Sequence, residues 1–173
     1  MKKLIVPICI LLLSTTARAQ TRSRTVSKRG TPAAKASAPL ATAAAKTAGA
    51  TKVADQIKNL TRFLYLLGGV AKGIEQVDEA VRKSEASPAA VQQNTQNKAT
   101  VKTSLQNVRE GLDQLEIYFR GTPELQVYYL KLAGSASGAA AAEDQAAAGH
   151  FDQAGRTLLG VVNRLTDVLL VMR

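Results

Sequence analysis

No aspartate or glutamate occurs before Asp55 in this chain of 173 residues. Tryptophan is absent, His150 is the only histidine and Cys9 the only cysteine. These gaps exclude several chemistries. Covalent haem attachment needs two cysteines beside a histidine. An axial His/Met pair would need His150 and Met172, which lie about 33 Å apart along one helix at 1.5 Å per residue. A carboxylate-bridged di-metal centre uses two Glu-x-x-His repeats, and one histidine cannot supply them. No metal, no cofactor and no catalytic residue is therefore expected. Clean period-2 alternation is missing too, so no strand competes with a helical reading. The longest apolar run is about half the ~20 residues that a spanning helix requires.

That run, Leu4 to Leu13, follows Lys2 and Lys3 and precedes Ala17-Arg18-Ala19. A basic start, a short apolar core and a small-x-small site read as a secretory signal peptide over residues 1–19, cleaved between Ala19 and Gln20. The expected location is periplasmic or secreted, in a bacterial envelope. Cys9 sits inside the apolar run rather than just after it, which excludes a lipoprotein. Cleavage would leave no thiol and no disulfide, so the mature fold must rest on its core, a metal or a partner.

The charge is segregated. The chain carries 23 Lys and Arg against 13 Asp and Glu. Residues 20–50 hold six positives (Arg22, Arg24, Lys28, Arg29, Lys35 and Lys46) and no acid. Residues 51–173 hold 14 positives and 13 negatives, which is nearly neutral. Segment 20–50 is rich in Ala, Thr, Ser and Lys, with Pro32 and Pro39. It reads as a disordered basic linker, because it has too little apolar surface to offset ordering entropy. Ala41 to Ala50 is helix-prone but offers no evident face to pack. The six positives would tether the protein weakly to anionic envelope polymers or lipid headgroups, in a salt-sensitive way. With no aromatics interleaved, no specific nucleic acid is expected.

From Thr51 a heptad, coiled-coil-like seam begins: Val53, Ile57, Leu60, Leu64, Leu67, Ala71 and Ile74 recur at steps of four and three. Thr51 is the expected N-cap. Ser87-Pro88 reads as a cap followed by a first-turn proline, and Thr122-Pro123 repeats the signal after Gly121. Val101, Leu105, Val108, Leu112, Leu115 and Phe119 form a second seam, behind a polar and solvated stretch from Gln92 to Lys98. A third helix turns alanine-rich from Ala133 and stops at Gly149. Ala154, Leu158, Val161, Leu165, Val168 and Met172 mark a fourth. Gly149-x-Phe151-x-x-Ala154 resembles the helical junction of tetratricopeptide repeats. No 34-residue period accompanies it, so it describes a tight helical hairpin.

The expected fold is all-α: an up-down-up-down four-helix bundle over 51–173, with helices at about 51–86, 88–120, 123–148 and 152–172. That topology gathers Phe63, Tyr65, Tyr118, Phe119, Tyr128, Tyr129 and Met172 at one end, as the main core or as the lining of an apolar ligand site. The other end should be thin and alanine-packed. Gly69 with Gly73, and Gly134 with Gly138, read as places where backbones approach closely.

Three functions from different classes fit these features. The leading one is an exported, non-enzymatic interaction module with a basic tether and an unknown protein partner. An apolar small-molecule binder using the aromatic half is the second. An all-helical enzyme using Arg62, Lys72, Glu75, Arg109, Glu116 and Arg120 is the third. The apolar runs Phe63–Leu67 and Val168–Met172 also suggest a homodimer.

Overall fold

The computed structural model describes residues 38–173. The leader 1–19, the cleavage site Ala19/Gln20 and the linker as far as residue 37 lie outside the described residues, as do Arg22, Arg24, Lys28, Arg29 and Lys35. The described residues form an all-α helical bundle without strands: α1 (Ala38–Arg82), α2 (Pro88–Gly121), a 3-10 turn (Pro123–Leu125), α3 (Gln126–Leu132), α4 (Ser135–Ala147) and α5 (Phe151–Val171). Among them no helix is long and apolar enough to cross a membrane.

α1 and α4 each pack against both α2 and α5, which closes a ring around one core. Cross-links show that neighbours run antiparallel. On the α1–α2 seam, the Gln56 side chain lies over Gly111, and Asp78 accepts from Asn94 and Lys98. Gly138 faces Val161 across α4–α5, and Thr157 Oγ1 donates to Gln145 Oε1 at 2.8 Å. All six residues of the second seam and all six of the last are buried. In α1, Val53, Leu60, Leu67, Ala71 and Ile74 are buried, while Ile57 and Leu64 pack at the margin.

Helix α1 starts at Ala38 rather than Thr51, so residues 38–50 are helix and not linker. Alanine has the highest helix propensity, and the segment does have a face. Gly49 is buried, and a Cβ there would stand 2.9 Å from Leu125 Cδ1 and 3.0 Å from Met172 Cε. Ala50 packs on the core. Thr51 is no cap: its hydroxyl donates to the Thr47 carbonyl at 3.0 Å, in mid-helix. At the other end α1 stops at Arg82, short of the expected residue 86. Glu85 N–H bonds to Ala80 O, and Ser84 N–H to Val81 O. That is a Schellman closure, with Ser84 in the left-handed region at φ 61°.

The serine–proline start of α2 forms as expected. Ser87 Oγ accepts from Ala90 N–H at 3.2 Å, and Pro88 occupies the first turn. The threonine–proline start does not: Thr122 Oγ1 donates back to the Tyr118 carbonyl at 2.8 Å. The third helix is broken at Ala133-Gly134, where Gly134 adopts φ 87°. Three groups satisfy the backbone freed at the break. Arg164 donates to Ala133 O at 2.7 Å, Ser135 Oγ to Leu132 O at 2.6 Å, and Glu116 Oε1 accepts from Ala136 N–H at 3.0 Å. A carboxylate at the first turn of α4 also suits the positive end of the helix dipole. Gly149, at φ 83°, closes α4 by a second Schellman pair, His150 N–H to Gln145 O and Gly149 N–H to Ala146 O.

Phe151, at the start of α5, lies beside Leu67, Gly68 and Ala71 of α1. α1 continues to Arg82, about 20 Å further at 1.5 Å per residue. The α1–α2 hairpin therefore extends past the α4–α5 turn as a two-helix arm, here called the upper end.

Candidate functional site

Two regions bring side chains together: the lower end, where the aromatics were expected, and the crook beneath the arm. At the lower end Phe63, Phe119 and Met172 are buried, and Tyr118, Tyr128 and Tyr129 lie at the margin of the core. Tyr118 meets Phe119 edge to face at 6.0 Å, and Lys52 sits over the Tyr118 ring at 4.9 Å. Tyr65 departs from this set, being 84% exposed. Its position on α1 is a quarter-turn or more beyond the Phe63–Leu67 edge of the seam, so it faces outward. Leu60, Leu112, Leu125 and Leu165 belong to the same core and are fully buried. Leu125 and Met172 close on Gly49 of α1.

Lys46, the only tether residue described, is half-buried on α1. Its Nζ donates to the backbone oxygen of Arg173 at 3.1 Å, which fastens α1 to the end of α5. The charged side chains considered for catalysis do not converge. Arg109 pairs with Glu143 at 3.4 Å, Glu116 caps α4, and Arg62, Lys72, Glu75 and Arg120 are exposed.

The crook is a cleft of about 630 Å³. Its floor is apolar, from Val101, Leu105, Ala146 and Phe151, and its rim carries Asp78, Lys98, Lys102, Glu143 and Asp144. Asp78 organises the rim: one carboxylate oxygen accepts from Lys98 Nζ and from Asn94 Nδ2, both at 2.7 Å. Asn94 is 6% exposed, and its Oδ1 has no partner among the described residues. The amide cannot turn round to satisfy that oxygen, because it would then face the Asp78 carboxylate. The polar run Gln92–Lys98 thus hides one buried residue. No apolar period marks Asn94; the only hint in the sequence is its position one seam step, seven residues, before Val101. Among the described residues no group of three or more His, Cys, Asp or Glu could hold a metal ion.

The chain matches no protein-family model, no curated protein and no solved structure. What it can do is read from its own surfaces. Besides Tyr65, large apolar side chains stand exposed on α1 (Leu66) and on α3 (Val127 and Leu130), with Ile117, Leu159 and Leu170 elsewhere. Leu130 is 81% exposed, and none of the described residues covers it.

Two titrating groups are displaced. The Arg82 and Lys83 side chains hydrogen-bond Glu79 and hold its carboxyl below the usual carboxylate range. Glu79 in turn raises the Arg82 guanidinium. Arg82 is exposed and Glu79 half-exposed at the end of α1, so they tune the arm's tip rather than a cleft.

Proposed function

We propose that the protein is an exported, non-enzymatic interaction module: an up-down-up-down four-helix bundle that presents apolar side chains outward for protein contacts. Its basic N-terminal segment would provide weak adhesion to anionic envelope surfaces. The observation that carries this reading is the placement of Tyr65 and Leu66 on α1, and of Val127 and Leu130 on α3, in solvent. Phe63, Phe119 and Met172 of the aromatic end are, by contrast, buried in the core. Contiguous exposed apolar surface marks interaction sites on folded proteins, and the exposed residues are sequence neighbours on α1 and three apart on α3.

The two parts of the reading are separable. Replacing Arg22, Arg24, Lys28, Arg29 and Lys35 by Gln in the full chain leaves every described residue untouched. The variant should lose retention on anionic vesicles at low salt, while the parent's retention should disappear as salt rises. A variant retained as well as the parent would end the tether. Val127→Ser with Leu130→Ser should abolish partner capture from envelope extracts at unchanged thermal stability. Unchanged capture would remove α3 from the contact surface.

A further inference from the structure

α1 occupies a corner of the ring between α2 and α5, so one of its faces is turned wholly outward. That face reads Asp55, Lys58, Arg62, Tyr65, Leu66, Gly69, Lys72, Gly73, Gln76 and, at the helix end, Lys83. Its middle is apolar and thin. Tyr65 and Leu66 project into solvent, and a Cβ built on Gly69 or Gly73 meets nothing within 4 Å. These two glycines do not serve the close approach inside the bundle that their spacing suggested. Glycine is a poor helix former, and among the described residues nothing packs on these two to offset it.

We propose that this face binds a second copy of the chain, α1 against α1, antiparallel, with Gly69 at the two-fold axis. The proposal rests on the interaction-module reading and names the partner. In a two-fold antiparallel pair, residues equally distant from the axis stand level with each other. Tyr65 then stands level with Gly73 of the second copy, where the missing side chain leaves room for a ring. Leu66 stands level with Lys72, whose methylene stem can cover it. Arg62 faces Gln76. About 21 Å from the axis on each side, Asp55 stands level with Lys83, acid to base, each turning from the exposed pair it makes within its own chain, Asp55 with Lys58 and Lys83 with Glu79.

Charge selects this arrangement over its rivals. A parallel pair in register would set Asp55 on Asp55, Lys58 on Lys58 and Arg62 on Arg62. An antiparallel pair centred on Tyr65 would bring Lys58 level with Lys72. Both place like charges together, and the Gly69-centred pair does not. One helix pair buries less than the roughly 1,600 Å² of a standard interface, so the dimer should be reversible and form in the micromolar range.

A Cys9→Ser background leaves no other thiol. There, Gly69→Cys under mild oxidation should give a disulfide-linked dimer as the main product, because residues on the axis fall within bridging distance. Glu110→Cys, exposed on α2, should stay monomeric. In sedimentation equilibrium, Asp55→Lys should weaken self-association several-fold, and adding Lys83→Asp should restore it. A chain monomeric to millimolar concentration would overturn the proposal, as would Gly69→Cys cross-linking no faster than Glu110→Cys. A monomer that still captures envelope partners would overturn the dimer and leave the broader interaction reading standing.

Discussion

Glycines that look equivalent in the sequence separate at the scale of single residues. Gly69 and Gly73 face open space, whereas a Cβ on Gly138 would lie 2.7 Å from Val161 Cγ2. Valine is stiff at χ1 and cannot turn aside. In urea unfolding at dilute, monomeric concentration, Gly69→Ala and Gly73→Ala should therefore each stabilise by about 0.5–1 kcal/mol. Gly138→Ala should instead cost about 1–3 kcal/mol through overpacking. Spacing alone shows that two glycines share a face, not whether that face looks inward. Ser84 is the opposite case, a side chain where the backbone wants none. Its φ of 61° closes α1, and a left-handed L-residue costs roughly 1–2 kcal/mol. Ser84→Gly should recover part of that, seen as a raised denaturation midpoint with an unchanged slope.

Helices legible in the sequence are those with a phase. The seams of α2 and α5 were readable residue by residue, because Leu, Val and Phe recur against a polar background. Where nearly every residue is small, as in 38–50 and 133–148, periodicity carries no signal. There the structure departs from expectation: a helix start moved upstream and a break at Gly134. Contacts from distant elements decide both. Glu116 illustrates this: in the sequence it is one charged residue among several on α2, yet it caps α4 from there. Glu116→Ala should cost about 1 kcal/mol and loosen amide protection in the first turn of α4. The Asp78 cluster is a second long-range bond invisible to pattern. Asp78→Ala would leave both ends of the buried Asn94 amide unpartnered and cost about 1–3 kcal/mol. At the end of α1, Arg82 and Lys83 depress the Glu79 carboxyl. A depressed carboxylate contributes stability above its unfolded pKa and loses it as pH falls through the folded one. NMR titration should place Glu79 below the usual glutamate range, and Glu79→Gln should matter only above that range.

For the whole molecule, the unequal lengths of the helices set the distribution of stability. The ring of α1, α2, α4 and α5 encloses fully buried Leu60, Leu105, Leu112, Leu158 and Leu165. Above Phe151 only α1 and α2 remain, and a two-helix layer buries one seam at most. There Val81 and Val91 are largely exposed, and apart from Ile74 the buried residue is a polar one, Asn94. Local opening is cheapest where apolar burial is least. Amides of 75–98 should therefore exchange by sub-global opening, well before those of 105–119 and 158–168, which should approach the global limit. Phe151 joins the arm to the ring. It is buried at the junction, against Leu67 and Ala71 on one side and sharing the cleft floor with Val101 and Leu105 on the other. Phe151→Ala should cost about 3–5 kcal/mol, and its effect should fall unevenly. Protection should drop most at Ile74 and Val101, where the arm joins the ring, and least around Phe119 and Met172 at the packed lower end. Uniform loss of protection along α1 would show instead that arm and ring unfold as one cooperative unit.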